Sequence, residues 1–290
     1  MTETNLNIDQ LRSYASILSN STFDKLVRQN NNKYVLSKSK RYDKEFIKFS
    51  SPTYKEYFEH IYNALEANYR NEYVYKNSII NKILLGKYSL NTTTAINEFR
   101  VGKSIADLVL LNGTSKVFEI KTELDNAERV INQLKDYKKV FKEIYLVTHN
   151  SLISKYKKIV SSDIGLIALT ENHSLKTVRE AKENKNIENK SIIKCLRKVE
   201  FSNIIKKYYG ELPKVSDFDF FKACAELIEK IPSIELHDLM MVELKKRNVK
   251  EKQALASENT PMELKHICLC LDFSKREYTK LSKILSKKLP

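Results

Sequence analysis

Ile105-Ala-Asp-Leu-Val-Leu-Leu111, then Asn112-Gly-Thr-Ser115, then Lys116-Val-Phe-Glu-Ile-Lys121 decides the fold of this 290-residue chain. Two runs of β-branched, aliphatic and aromatic residues joined at an Asn-Gly turn read as a β-hairpin buried on both faces. Asp107, Glu119 and Lys121 are charged residues inside those runs. A buried charge costs several kcal/mol unless it is paired or binds a metal. Three in one hairpin core therefore point to a site.

Glu119 and Lys121 are two apart on a strand and project from one face. Asp107 joins them only if the register sets it opposite Glu119. That requires an odd number of loop residues, such as Asn112-Gly113-Thr114, which a bulged turn with Gly supplies. Two carboxylates about 5 Å apart repel by roughly 3 kcal/mol at an effective dielectric near 20. A divalent cation removes that repulsion, and an oxygen-only pair suits Mg²⁺ or Mn²⁺ rather than zinc. The plain alternative is a structural Asp–Glu–Lys ion cluster.

Working outward, Thr94–Val101 alternates like a strand, with Glu98 within it and Gly102 at the turn. Upstream, Glu72 opens a helical pattern through Leu85, stopped by Gly86. Downstream, Asp125, Arg129, Gln133 and Tyr137 recur at i+4 on one helical stripe. Asp125 is the expected N-cap, with Glu128 completing a capping box. Val130, Ile131 and Leu134 are expected to pack on the sheet. Glu143–Thr148 and Ile164–Leu169 read as buried strands around a helix at Leu152–Val160.

The order helix, three strands, helix, strand, helix, strand, together with D-x11-E-x-K, resembles the PD-(D/E)XK (restriction-endonuclease-like) nuclease superfamily over about Glu72 to Leu169. It looks most like small standalone bacterial and phage members with D-x3-R-x3-Q-x3-Y after the E-x-K. The resemblance implies an α/β fold, a mixed sheet flanked by helices, and Mg²⁺- or Mn²⁺-dependent hydrolysis of DNA phosphodiesters. By it, Asp107, Glu119 and the Ile120 carbonyl would bind metal, and Lys121 would be the catalytic lysine. Gln133 would position that lysine or the DNA, with Arg129, Tyr137 and Lys103 toward nucleic acid. Glu72 matches the acid many members carry on the first core helix; Glu98 is the strand alternative. Ala106 stands where the motif has Pro. The implied setting is phage–host conflict or DNA repair, and the alternative is a module that keeps the fold, binds nucleic acid with partner proteins and does not cut.

Composition agrees with an anionic partner. Lys and Arg number 51 against 36 Asp and Glu, a net charge of +15, which favours DNA and also admits RNA. Abundant Lys, Asn and Ile also suit an A+T-rich genome, so the charge is mild support. Four Cys lack secreted disulfide spacing, and no signal peptide or long apolar span is visible, so a soluble cytoplasmic chain is expected. His266-x-Cys268-x-Cys270 diverges on a helix and reads as buried thiols rather than zinc ligands.

The expected division is a polar, partly helical extension over 1–52, a nuclease-like core over 53–175 and a basic all-helical region over 176–290. In the first part, helices are expected near Ile8–Ser19 and Thr22–Gln29, followed in the core by Tyr54–Tyr69. In the last, Ala181–Lys190 reads as an exposed linker before helices at Ile192–Tyr208, Asp217–Ile231, Ile234–Lys246, Thr260–Leu271 and Ser274–Leu285. These C-terminal helices are the expected surface for a homodimer or a partner protein.

Overall fold

The computed structural model describes residues 6–123, 125 and 129–290. The chain forms two compact units, one of residues 1–90 with 249–290 and the other of residues 91–248. These bounds differ from the three consecutive segments expected above. The N-terminal and final C-terminal helices share one unit, and the sheet shares the other with the helices between. Packing between residues distant in sequence makes this division, and no local signal announces it.

The first unit is helical. It begins with α1 (Ile8–Ile17), α2 (Asn20–Arg28), α3 (Lys33–Tyr42), α4 (Lys44–Ser50) and α5 (Tyr54–Asn68). Thr53 and Glu56 close a capping box on α5, whose Tyr57, Phe58, Ile61 and Leu65 are buried as their spacing predicts. Asp43 is buried here and accepts hydrogen bonds from the Tyr14 and Tyr57 hydroxyls. Helix α6 (Glu72–Ile79) runs on through a π-helical turn, Ile80–Leu84.

The second unit carries a six-stranded sheet in the order β1-β2-β3-β4-β5-β6: Thr94–Val101, Ser104–Asn112, Thr114–Lys121, Glu143–His149, Gly165–Leu169 and Leu175–Arg179. β1, β2 and β3 pair antiparallel; β3, β4 and β5 run parallel, and β6 returns antiparallel on the edge. Crossovers through α7 (Val130–Lys138) and α8 (Ile153–Ile159) link the parallel strands. The mixed sheet flanked by helices is thus present, with β6 in addition. That strand escaped the sequence reading because Leu175–Arg179 is short, mostly exposed and charged.

Helices α9 (Asn189–Cys195), α10 (Lys198–Tyr209), α11 (Asp217–Glu229) and α12 (Ser233–Lys245) complete this unit. One core joins Val109, Leu111 and Val117 of the hairpin with Val130, Leu134 and Tyr137 of α7 and with Ile204, Cys224 and Met240 of these helices. The pattern expected as one helix over Ile192–Tyr208 breaks at Leu196, an extended residue between α9 and α10. The expected linker is a hydrogen-bonded strap instead. Lys182 N–H donates to Asp163 O, and Asn184 Nδ2 to the carbonyls of Lys138 and Phe141. Val199, Phe218 and Ile234 remain exposed on α10, α11 and α12.

The chain then returns to the first unit with α13 (Lys252–Ala256), α14 (Lys265–Leu271) and α15 (Lys275–Leu285). Among the described residues no helix is long and apolar enough to cross a membrane.

Candidate active site

The hairpin closes with Asn112 opposite Thr114 and Gly113 at the tip in the left-handed region (φ +67°). Its ladder pairs Leu108 with Phe118 and Val109 with Val117. One step further along that register Asp107 lies across from Glu119, so the odd-loop requirement is met. Strand alternation then sends Asp107, Val109, Leu111, Val117, Glu119 and Lys121 to one face. Leu108, Leu110, Phe118 and Ile120 are buried on the other.

Glu119 is 1% exposed and Lys121 is 8% exposed. The Lys121 ammonium donates to Glu119 Oε1 at 2.6 Å, and the Tyr137 hydroxyl donates to Glu119 Oε2 at 2.7 Å. Asp107 is half-buried, and its Oδ2 accepts from the Ile120 N–H at 2.8 Å. Thr148 Oγ1 donates to the Lys121 carbonyl at 2.6 Å, tying the end of β3 to β4. Each buried charge in the hairpin therefore has a partner, which is what makes its burial tolerable.

Helix α7 faces the site through the stripe read from sequence. The Tyr137 hydroxyl also lies 2.9 Å from the Ile105 carbonyl, so it links α7 to both β2 and β3. Burial, then the Glu119 charge, pushes the phenol far above its ordinary range, so it stays a donor. Gln133 is a neighbour of the Tyr137 hydroxyl that slightly counters this rise, and its Oε1 is buried with no hydrogen-bond partner among the described residues.

Several expected placements differ. Tyr137 is fully buried, so it holds Glu119 rather than presenting itself to nucleic acid. Ile131 is 43% exposed; Val130, Leu134 and Tyr137 already fill the inward stripe, and Ile131 lies about 100° around from Val130. Helix α7 starts at Val130 with Arg129 as N-cap and no side-chain cap. Asp125 accepts instead from the Thr122 N–H and hydroxyl, closing a turn after β3. The expected capping partner Glu128 lies outside the described residues.

Glu72 belongs to the helical unit, where it pairs with Lys76 at 2.5 Å. Glu98 occupies the β1 position across from Asp107, between the pairs Asn97–Leu108 and Phe99–Ala106. It is exposed and adopts φ +54°, a left-handed conformation rare for a non-Gly strand residue. That backbone turn takes it out of the ladder. Among the described residues no three His, Cys, Asp or Glu side chains converge to hold a cation.

Sequence reasoning missed His149, which ends β4 beside the Lys121 strand. Its Nδ1 is 3.4 Å from Glu123 Oε1 and its Nε2 is 3.1 Å from Glu171 Oε1. The available signal was a His at the carboxyl end of a parallel strand, where open α/β sheets bind ligands. Four other scattered histidines hid it.

Beside the site, a cleft of about 660 Å³ opens between the β1–β2 turn and α7. Lys103, Arg129 and Gln133 line it, so three residues expected near nucleic acid share one surface. Asp136 also faces it. Burial raises the Asp136 carboxyl, but hydrogen bonds from Lys139 (2.9 Å) and Ser104 (2.8 Å) outweigh that and hold it below the usual carboxylate range.

The family model of bacteriophage P4 protein cII matches residues 65–269 of the chain. Protein cII of Enterobacteria phage P4 is 30% identical over 130 residues, covering 43% of this chain and 49% of that protein. The chain thus spans about half the length of this curated relative. A solved structure of a Silicibacter pomeroyi protein of unknown function covers 43% of this chain and 87% of its own, at 14% identity and a TM-score of 0.29. That likeness carries no argument about the fold. The match over residues 65–269 is more than half of the sequence, and by it the chain belongs to the bacteriophage P4 cII family.

Proposed function

We propose that the sheet unit is a metal-dependent nuclease that hydrolyses DNA phosphodiesters, in phage–host conflict or DNA repair. The observation that carries this reading is the gathering of Asp107, Glu119 and Lys121 on one sheet face, beneath a helix whose Tyr137 hydroxyl bonds to Glu119. Asp107 and Glu119 supply the hard oxygen donors that Mg²⁺ or Mn²⁺ prefers. Asp107 and Glu119 would hold the cation, with Glu119 giving up one of its bonds to Lys121 or Tyr137. The bound metal would supply charge neutralisation at the scissile phosphate.

The chain's own groups do the rest. Lys121, released from Glu119, places a positive charge where phosphoryl oxygens gain negative charge. Tyr137 keeps the Glu119 carboxylate in one orientation through its second oxygen. Gln133 orients the Tyr137 hydroxyl, and its Oε1 offers an acceptor to the lysine or to the substrate.

A second reading has its own support. Glu119 is almost fully buried with both oxygens engaged, as in a structural ion cluster. On that reading the unit binds nucleic acid with partner proteins and does not cut. Purified protein incubated with plasmid, linear and single-stranded DNA and with Mg²⁺, Mn²⁺ or EDTA separates the two. The nuclease reading expects metal-dependent products that Asp107→Ala, Glu119→Gln and Lys121→Ala each abolish. No cleavage by the wild type with either metal, or full activity in Asp107→Ala, would end it.

A further inference from the structure

The cleft between the β1–β2 turn and α7 has an unusual charge balance. Lys103, Arg129, Lys135 and Lys139 line it against one carboxylate, Asp136. Asp136 is engaged by Lys139 and Ser104. Lys103, Arg129 and Lys135 form no salt bridge among the described residues. Elsewhere on this sheet Lys116 pairs with Glu143 and Lys138 with Asp163. Three cations that form no ion pair among the described residues repel each other around one concavity, and a polyanion relieves that repulsion.

The cleft also connects to the candidate site. Gln133 lines it one helical turn before Tyr137, and Tyr137 bonds to Glu119 on the sheet. A chain of phosphates lying in the cleft therefore passes Gln133, one helical turn from the tyrosine that holds the buried carboxylate.

We infer that this cleft is the track for the phosphodiester backbone of a nucleic-acid strand, held by Lys103, Arg129 and Lys135 as it approaches Glu119 and Lys121. The inference rests on the reading of the sheet unit as a nucleic-acid enzyme. It adds where the strand lies and which cations hold it. Contacts of this kind go to phosphate and carry no base preference.

The test measures binding in EDTA, so cleavage is not needed. Fluorescence anisotropy of a labelled single-stranded oligonucleotide is followed from low to high salt for the wild type, for Lys103→Gln/Lys135→Gln and for Lys206→Gln/Lys207→Gln. The last pair, exposed on α10, removes equal charge elsewhere in the same unit. Each phosphate that the protein no longer neutralises lowers the slope of log affinity against log salt by about 0.7 for a single strand. The cleft variant should therefore lose about 1.4, or roughly 25-fold at 0.1 M salt relative to 1 M. The α10 variant should keep the wild-type slope. An unchanged slope in the cleft variant, or an equal loss in the α10 variant, overturns the inference. The expected slope loss alongside no cleavage under any metal would leave the track standing and remove the nuclease reading. Metal-dependent cleavage with an unchanged slope would do the reverse.

Discussion

Replacing Lys121 by Met tests whether the buried ion cluster is also a cation site. The substitution keeps the length and apolar stem of the side chain and deletes only the ammonium. In the native protein that ammonium lies 2.6 Å from Glu119 Oε1, with Glu119 1% and Lys121 8% exposed. Removing one partner of a buried pair leaves the other charge uncompensated. The Tyr137 hydroxyl at Oε2 offsets only part of that. The loss for such a pair is about 3–5 kcal/mol, and at 2–4 °C per kcal/mol for a unit of this size the melting temperature should fall by roughly 6–20 °C in EDTA. Like-charge repulsion between Asp107 and Glu119 suggests by itself that deleting either carboxylate relaxes the fold. The Lys121 bond reverses that expectation for Glu119, whose loss would strand a buried ammonium. If Asp107 and Glu119 accept a divalent cation, 10 mM Mg²⁺ should restore much of the loss in Lys121→Met and change the wild type far less. Calorimetry or thermal scanning with and without Mg²⁺ reads both effects. A fall under about 2 °C in EDTA would refute the pairing argument. A large fall that Mg²⁺ leaves untouched would refute the cation argument.

Gln133→Ala should cut turnover roughly tenfold or more, the loss expected for a transition-state hydrogen bond; its Oε1 has no hydrogen-bond partner among the described residues, so the melting temperature should move far less than in Lys121→Met. Wild-type turnover in that variant would reduce α7 to scaffold. Burial, reinforced by the Lys76 ammonium, pushes the His266 imidazole down to about 3. The unfolded chain therefore takes up this proton as pH falls below about 6.5 while the folded chain resists until about 3, so stability falls across that window by up to about 1.4 kcal/mol per pH unit. Thermal melts from pH 7 to pH 4 should be flatter in His266→Gln, and parallel curves would show that other groups set the acid limb. Gly165→Ala should destabilise by about 1–3 kcal/mol through overpacking, because its Cβ would run into the Tyr145 ring and come within 2.9 Å of Ala181 N. Tyr145 has little freedom to swing aside, since its hydroxyl bonds to Glu180 and Glu143; an unchanged urea midpoint would show that it does.

How much of this was legible in the sequence follows from the range of the forces involved. Strand alternation is local, so the hairpin and the shared face of Glu119 and Lys121 could be read directly, and Asp107 joins them through the odd loop that the register then supplied. Helical period is local too, so the inward placement of Val130 and Leu134 was visible, whereas the exposure of Ile131 and the burial of Tyr137 were not. Its N-terminus was misread because Asp125 found a nearer donor in Thr122. The left-handed turn at Glu98 left no composition signal, since Glu is an ordinary strand-exterior residue.

Tertiary structure alone decided which partners meet. That the Tyr137 hydroxyl lands on Glu119, that His149 sits between Glu123 and Glu171, and that residues 181–188 strap the sheet unit all depend on how separate elements pack. The same holds for the joining of residues 1–90 with 249–290 into one unit. Periodicity tells each segment which face to bury, because that preference is felt within a few residues. It cannot name the surface that face is buried against, because every apolar stripe in the chain satisfies it equally and only close packing chooses among them.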